Sequence, residues 1–267
     1  MKVEILLSCM NQEDGKLIRR SRITGDAVMV NQCGREAYAE YPTEHGLARV
    51  YDSAQRGLTK SRNLAIEKST ADICMLSDDD ETFLPDYEER IRKAYRELPQ
   101  ADVIVFQIEN WPTSLGDVRR QLKFPQTMKV SSVQISFRRE SLLKTGVRFD
   151  PLLGSGSGNG AEEELKFLLD CQKHGLKIYY VPVTVARLEQ SESAWFLGFD
   201  EEFFYRRGGT TRYILGLPLA SLYALYYVVR KRGMYAGYVT PWKALKAVFR
   251  GIRDNRLTRQ ARGGAKP

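Results

Sequence analysis

Apolar runs alternate with polar, helix-like stretches along the first 110 residues. Residues 3–7 and 27–30 are runs of strand length, and the stretch between them, about 13–24, reads as helix. A weaker strand at 48–51 precedes a helix-like 59–68, and a further apolar run, 72–76, stops at Ser77-Asp78-Asp79-Asp80. A helix over 85–98, with Ile91, Ala94, Tyr95 and Leu98 on one stripe, leads to a strand at 103–109. Later strands are expected at 130–138 and 178–185, on either side of a Gly/Ser loop, 154–160, that runs into Glu162-Glu163-Glu164. This alternation predicts an α/β fold: a mixed, mostly parallel sheet with helices on both faces. Ligands of such a sheet belong at the carboxyl ends of its strands.

The pattern changes near residue 205, which divides the chain into an expected domain over 1–205 and a C-terminal region over 206–267. Residues 213–229 carry no charge, and Arg230-Lys231-Arg232 follows at once. Seventeen residues of helix reach about 26 Å, short of a hydrocarbon core of about 30 Å, so the run is a poor transmembrane span. A second segment, 242–252, puts Leu245, Val248, Phe249 and Ile252 on one face, with Lys243, Lys246, Arg250 and Arg253 around the rest. Helices of this kind either lie in the interface of an anionic leaflet or cap the body as a helical pair.

Charge sharpens this picture. The net charge is +8, yet from Phe203 onward 14 Lys/Arg face the single acid Asp254, and the preceding residues hold 27 bases against 32 acids. A basic end on an acidic body points to an anionic partner at the tail. The acidic body and the lack of a nucleic-acid-binding motif argue for a membrane surface and against nucleic acid. Cys9, Cys33, Cys74 and Cys171 are widely spaced and only two histidines occur, so neither a disulfide framework nor a zinc site is expected. The chain opens directly on a strand, and a cytoplasmic location, peripheral to the membrane, is the expectation.

Three adjacent carboxylates after a strand repel one another unless a cation neutralises them, and hard divalent ions with oxygen ligands suit them. A solvated turn feeding the helix at Pro85 would use the same residue types. Glu162-Glu163-Glu164 poses a similar choice, between helix capping and a carboxylate of raised pKa that takes a proton.

The run Gly57-Leu58-Thr59-Lys60-Ser61-Arg62-Asn63-Leu64-Ala65, followed by Asp72-Ile73-Cys74-Met75-Leu76-Ser77-Asp78-Asp79-Asp80, strongly resembles the glycosyltransferases of family 2. Ser8-Cys9-Met10-Asn11-Gln12, Val30-Asn31-Gln32-Cys33, Glu163-Glu164-Leu165-Lys166-Phe167-Leu168, Ser191-Glu192-Ser193-Ala194-Trp195-Phe196 and Arg207-Gly208 are similar to blocks of bacterial members that build surface polysaccharides. The resemblance runs in order along nearly the whole chain. It implies a GT-A, Rossmann-like fold, a nucleotide-sugar donor, most plausibly UDP-linked, a manganese or magnesium ion, and inversion at the anomeric carbon.

Carried over by resemblance, Ser8, Met10, Asn11, Gln12, Asn31, Lys60, Arg62, Asn63, Asp78 and Asp79 would line the donor, and Asp80 would hold the metal, with Asp78 as the alternative. Lys60 and Arg62 are also cations suited to a diphosphate. Glu164 would be the base that deprotonates the acceptor, with Glu163 beside it; Trp195 and Arg207 would meet the acceptor or its diphosphate. The acceptor implied is a saccharide on a membrane lipid. One departure concerns the metal: relatives often carry a histidine before the Ser-Glu-Ser-x-Trp-Phe block, whereas this stretch reads Val185-Ala186-Arg187-Leu188-Glu189-Gln190, leaving water, Glu189 or fewer protein ligands. Two competing classes are a nucleotide-sugar pyrophosphorylase and a non-catalytic membrane adaptor. The first is weak because residues 8–15 hold one glycine and two acids, unlike a triphosphate-cradling loop.

Overall fold

A computed structural model describes residues 1–111, 115–159, 162–189 and 198–263. The chain divides into two units, one of residues 1–150 with 163–191, the other of residues 151–162 with 192–267. The division falls earlier than residue 205 because a helix beginning at Glu201 already belongs to the second unit, where Phe204 is buried.

The first unit is built on a ten-stranded sheet. Its strands are β1 (Val3–Met10), β2 (Asp26–Gln32), β3 (Ala37–Pro42), β4 (Leu47–Ser53), β5 (Ile73–Asp78), β6 (Glu81–Phe83), β7 (Val103–Glu109), β8 (Arg120–Leu122), β9 (Ile135–Arg138) and β10 (Ile178–Leu188). They lie in the order β3-β4-β2-β1-β5-β9-β7-β10-β6, with β8 on β10. β4, β2, β1 and β5 are mutually parallel, and β10 is parallel to β7. Since β9 runs against both β5 and β7, β7 and β10 point the same way as the central four. The carboxyl ends of those six strands, at Met10, Gln32, Ser53, Asp78, Glu109 and Leu188, therefore share one edge.

Alternation along the strands fills both faces. Ile5, Leu7, Ala27, Met29, Ile73 and Met75 join one buried cluster, with Leu17 and Ile18 of α1 (Lys16–Arg20) and Ile91, Ala94 and Tyr95 of α3 (Tyr87–Glu97). Leu6, Val28, Val30, Cys74 and Leu76 join the other, with Ala65 and Ile66 of α2 (Leu58–Lys68), Leu142 of α4 (Arg139–Thr145) and Phe167, Leu168 and Cys171 of α5 (Glu163–Lys173). Helices thus cover both faces, as the alternating pattern predicts. Two expectations need correcting. The helix expected over 13–24 shrinks to α1, closed by a left-handed Arg22 (φ 51°). Of the strand expected over 130–138 only β9 is strand; Ser132–Gln134 before it form a 3-10 turn, with a capping box of Ser131 and Gln134.

The second unit is helical: α6 (Glu201–Arg230), α7 (Arg232–Tyr235), α8 (Pro241–Asp254) and α9 (Arg256–Gly263). α6 breaks at Gly216 (φ 77°, ψ 174°), two residues before Pro218. α6 and α8 cross at two glycines: a Cβ on Gly208 would lie 2.0 Å from the Val248 carbonyl oxygen, and one on Gly251 would lie 2.0 Å from that of Tyr205. Ala244, Ala247, Val248 and Ile252 of α8 are buried here with Phe204, Ala220, Ala224, Tyr227 and Val228 of α6. The side of α8 bearing Val248 and Ile252 is therefore spent on α6 and is not the lipid-facing surface that the periodicity allowed.

Candidate active site

The acidic turn leaves β5 at the shared strand edge. Arg62, in the first turns of α2, is only 1% exposed, and its Nη2 donates to both carboxylate oxygens of Asp78, at 3.0 and 3.1 Å. Its Nη1 donates to Glu163 Oε1 at 2.9 Å. Burial alone would favour losing the proton, but Asp78 and Glu163 outweigh it and hold the guanidinium charged. The same guanidinium lies 5.5 Å from the centroid of the Phe149 ring, which stacks on Phe167 of α5 at 4.2 Å. Arg62 thus fastens the acidic turn to the first turn of α5.

Beyond Asp78 the carboxylates are less well partnered. Asp79 is exposed, yet partial desolvation of its carboxyl, followed by the charge of Asp78, raises its pKa. Asp80 Oδ1 is buried without a hydrogen-bond partner, and burial, then Asp78, pushes the Asp80 pKa up to about 6. Glu81 is buried, accepts the Asp78 N–H at 3.1 Å through Oε2, and leaves Oε1 unpartnered; burial and Asp78 hold its pKa well above the ordinary carboxylate range. Glu189 comes to the same place: its N–H donates to the Asp80 carbonyl at 2.9 Å, its carboxylate accepts from Thr82 Oγ1 at 2.8 Å, and its charge adds to the pressure on Asp80.

A divalent ion fits this arrangement. No preassembled group of three or more His, Cys, Asp or Glu occurs among the described residues. The half-buried Asp80 carboxylate, with Oδ1 unpartnered, is nevertheless the kind of single anchor that magnesium or manganese uses when substrate phosphates complete its shell. Asp78, the alternative ligand, already has both oxygens on Arg62.

Along the same edge, Ser8 Oγ accepts from Ser61 Oγ at 2.9 Å. The Gln12 side chain donates to the Met10 carbonyl at 3.0 Å, and Asn11, in the left-handed region (φ 51°), accepts from Arg56. Asn31 donates to the Gln12 carbonyl at 2.8 Å and to Asp52 Oδ1 at 2.7 Å, while Arg35 Nε donates to Asp52 Oδ2 at 2.6 Å. Gln12, Asn31, Arg35, Tyr38, Tyr41 and Asp52 line a cleft of about 140 Å³ at the ends of β1, β2 and β4. Gly57, with φ 128°, donates its N–H to Gln32 Oε1 at 2.7 Å and so ties the start of α2 to β2.

Lys60 is exposed, whereas Asn63 is turned inward: its side chain donates to and accepts from the Phe149 backbone at 2.8 and 2.9 Å, so it braces the chain before α5. Glu163 is buried on Arg62; Glu164, half-buried in the same turn, is close enough for its charge to act on Arg62. In the second unit, Arg207 donates to Glu162 Oε1 at 2.9 Å and to the Tyr223 hydroxyl at 2.9 Å, with its guanidinium 4.0 Å from the Tyr227 ring centroid. Those partners hold its guanidinium in place. Trp195 lies outside the described residues. Arg35, Asp52 and Glu81 were not singled out from the sequence; the available signal was that Asp52 ends a strand and Glu81 extends the acidic run.

Residues 34–152 match the family model described as glycosyl transferase family 2. No curated protein matches the chain. Among solved structures, residues 1–349 of S. aureus TarS in complex with UDP-GlcNAc superpose with a TM-score of 0.61 at 12% identity, covering 94% of this chain and 82% of that one. The UDP complex and the structure without a named ligand each give 0.58 at 12% identity, covering 94% and 81%. At that identity the likeness shows the fold, which is the GT-A-type α/β architecture that the motifs imply. Residues 34–152 thus carry the match to glycosyl transferase family 2, within a chain whose fold is like that of TarS.

Proposed function

We propose that this glycosyltransferase moves a sugar, with inversion, from a UDP-sugar to the hydroxyl of a saccharide acceptor. The observation that carries the reading is the Arg62 bridge, which ties the strand-end carboxylate Asp78 to the helix turn of Glu163 and Glu164. The UDP and UDP-GlcNAc complexes of TarS, a protein of like fold, support a uridine donor. Asp80, with Glu189 near it in place of the missing histidine, would hold manganese or magnesium. When bound, the ion neutralises charge on the departing nucleoside diphosphate. Glu164 takes the proton of the attacking hydroxyl, Glu163 stays paired with Arg62 and fixes the turn, and the Asn31–Asp52–Arg35 network shapes the nucleoside end. The acceptor is a lipid-linked saccharide of a surface polysaccharide, used at the cytoplasmic face of the membrane. Mass-spectrometric measurement of nucleotide release from UDP-, GDP- and dTDP-sugars with manganese tests this: release from UDP-sugars alone is expected, and release from none contradicts it.

A further inference from the structure

α6 is apolar on both sides after its kink. Ala220, Ala224, Tyr227 and Val228 face the core shared with α8. The opposite side carries Leu222, Leu225, Tyr226 and Val229, at i, i+3, i+4 and i+7, and these are 64%, 46%, 53% and 75% exposed. Leu217 and Leu219 before them, and Met234, Tyr238 and Trp242 after them, are exposed too, so nine of the fifteen exposed large hydrophobics among the described residues fall within 217–242. A helix apolar all round requires cover on both sides, and among the described residues only one side has it.

Charge identifies the cover. No acid occurs between Glu202 and Asp254, while Arg230, Lys231 and Arg232 stand exposed at the end of the apolar stripe. A protein surface that mated with this patch would have to match both the stripe and a positive field, whereas an anionic leaflet supplies an apolar layer beneath a negative one. Tyr226, Tyr238 and Trp242 are side chains that settle at that boundary. By length and composition α6 is able to cross a membrane, but residues 217–230 beyond the kink span only about 21 Å, and one of their sides is occupied by α8.

We infer that the outer side of α6 from Leu217 to Val229, with Met234, Tyr238 and Trp242, is a docking surface for an anionic lipid bilayer, lying in the plane of the leaflet. It names the contact for the peripheral location proposed above and rests on that location, though not on the catalytic assignment. The test is sedimentation of the full-length protein with phosphatidylglycerol/phosphatidylcholine vesicles and with pure phosphatidylcholine vesicles. Wild type should pellet with the anionic vesicles and be released by salt. The exposed-site variant Leu222→Gln/Leu225→Gln/Val229→Gln should bind at least about tenfold more weakly. The variant Arg230→Gln/Lys231→Gln/Arg232→Gln should lose about a hundredfold and most of the salt dependence. Wild-type binding left intact by both variants overturns the surface while the peripheral location stands. Wild type that ignores anionic vesicles overturns both, and a dimer in solution that the Leu/Val variant dissociates would assign the face to a second copy. Nucleotide release from UDP-sugars, measured on the same samples, reports the catalytic reading separately.

Discussion

Arg62 donates to Glu163 across 101 residues of sequence, at 2.9 Å and almost wholly out of solvent. The same guanidinium grips Asp78, so the two acidic motifs of the chain are held at one cation. A buried ion network of this kind is costly to break on one side, because the remaining charges are left without a partner.

Arg62→Ala should therefore destabilise the protein by about 3–5 kcal/mol. Arg62→Lys keeps the charge but cannot fork onto Asp78 while reaching Glu163. It should remain folded, bind UDP nearly as well as wild type, and transfer sugar at least tenfold more slowly. Denaturant unfolding, UDP titration and turnover measured together check this, and wild-type turnover in Arg62→Lys would count against the positioning role.

The elevated Asp80 pKa gives a pH signature. In the metal-free protein its folded value, about 6, lies above the ordinary carboxylate value, so folding favours the protonated form. The associated stability is present at low pH and is lost as pH rises through about 6. Manganese competes with that proton, so it should raise the melting temperature more at pH 7.5 than at pH 5, and Asp80→Asn should remove the difference. Equal manganese shifts at the two pH values would contradict the assignment of Asp80.

The central strands and their edge were legible because β1, β2 and β5 are buried on both faces, so their apolar runs are nearly unbroken. β3 was not, since most of its residues are exposed and its partner β4 is what makes it a strand. Val130 and Val133 gave an apolar spacing that 3-10 turns and their caps satisfied as well as a strand would. The roles of Arg62 and Asn63 depended on partners at Glu163 and Phe149 that no local pattern encodes. The amphipathic face of α8 was read correctly as apolar, but periodicity does not say whether lipid or another helix covers it; the Gly208–Gly251 crossing decides for α6.

The most direct test of the account is nucleotide release and sugar transfer by Glu164→Gln, compared with wild type at saturating UDP-sugar and manganese. Loss of a positioned base should slow the reaction by about 10²–10⁴-fold. UDP binding and melting temperature should stay close to wild type. Turnover by Glu164→Gln within a few-fold of wild type would contradict the account.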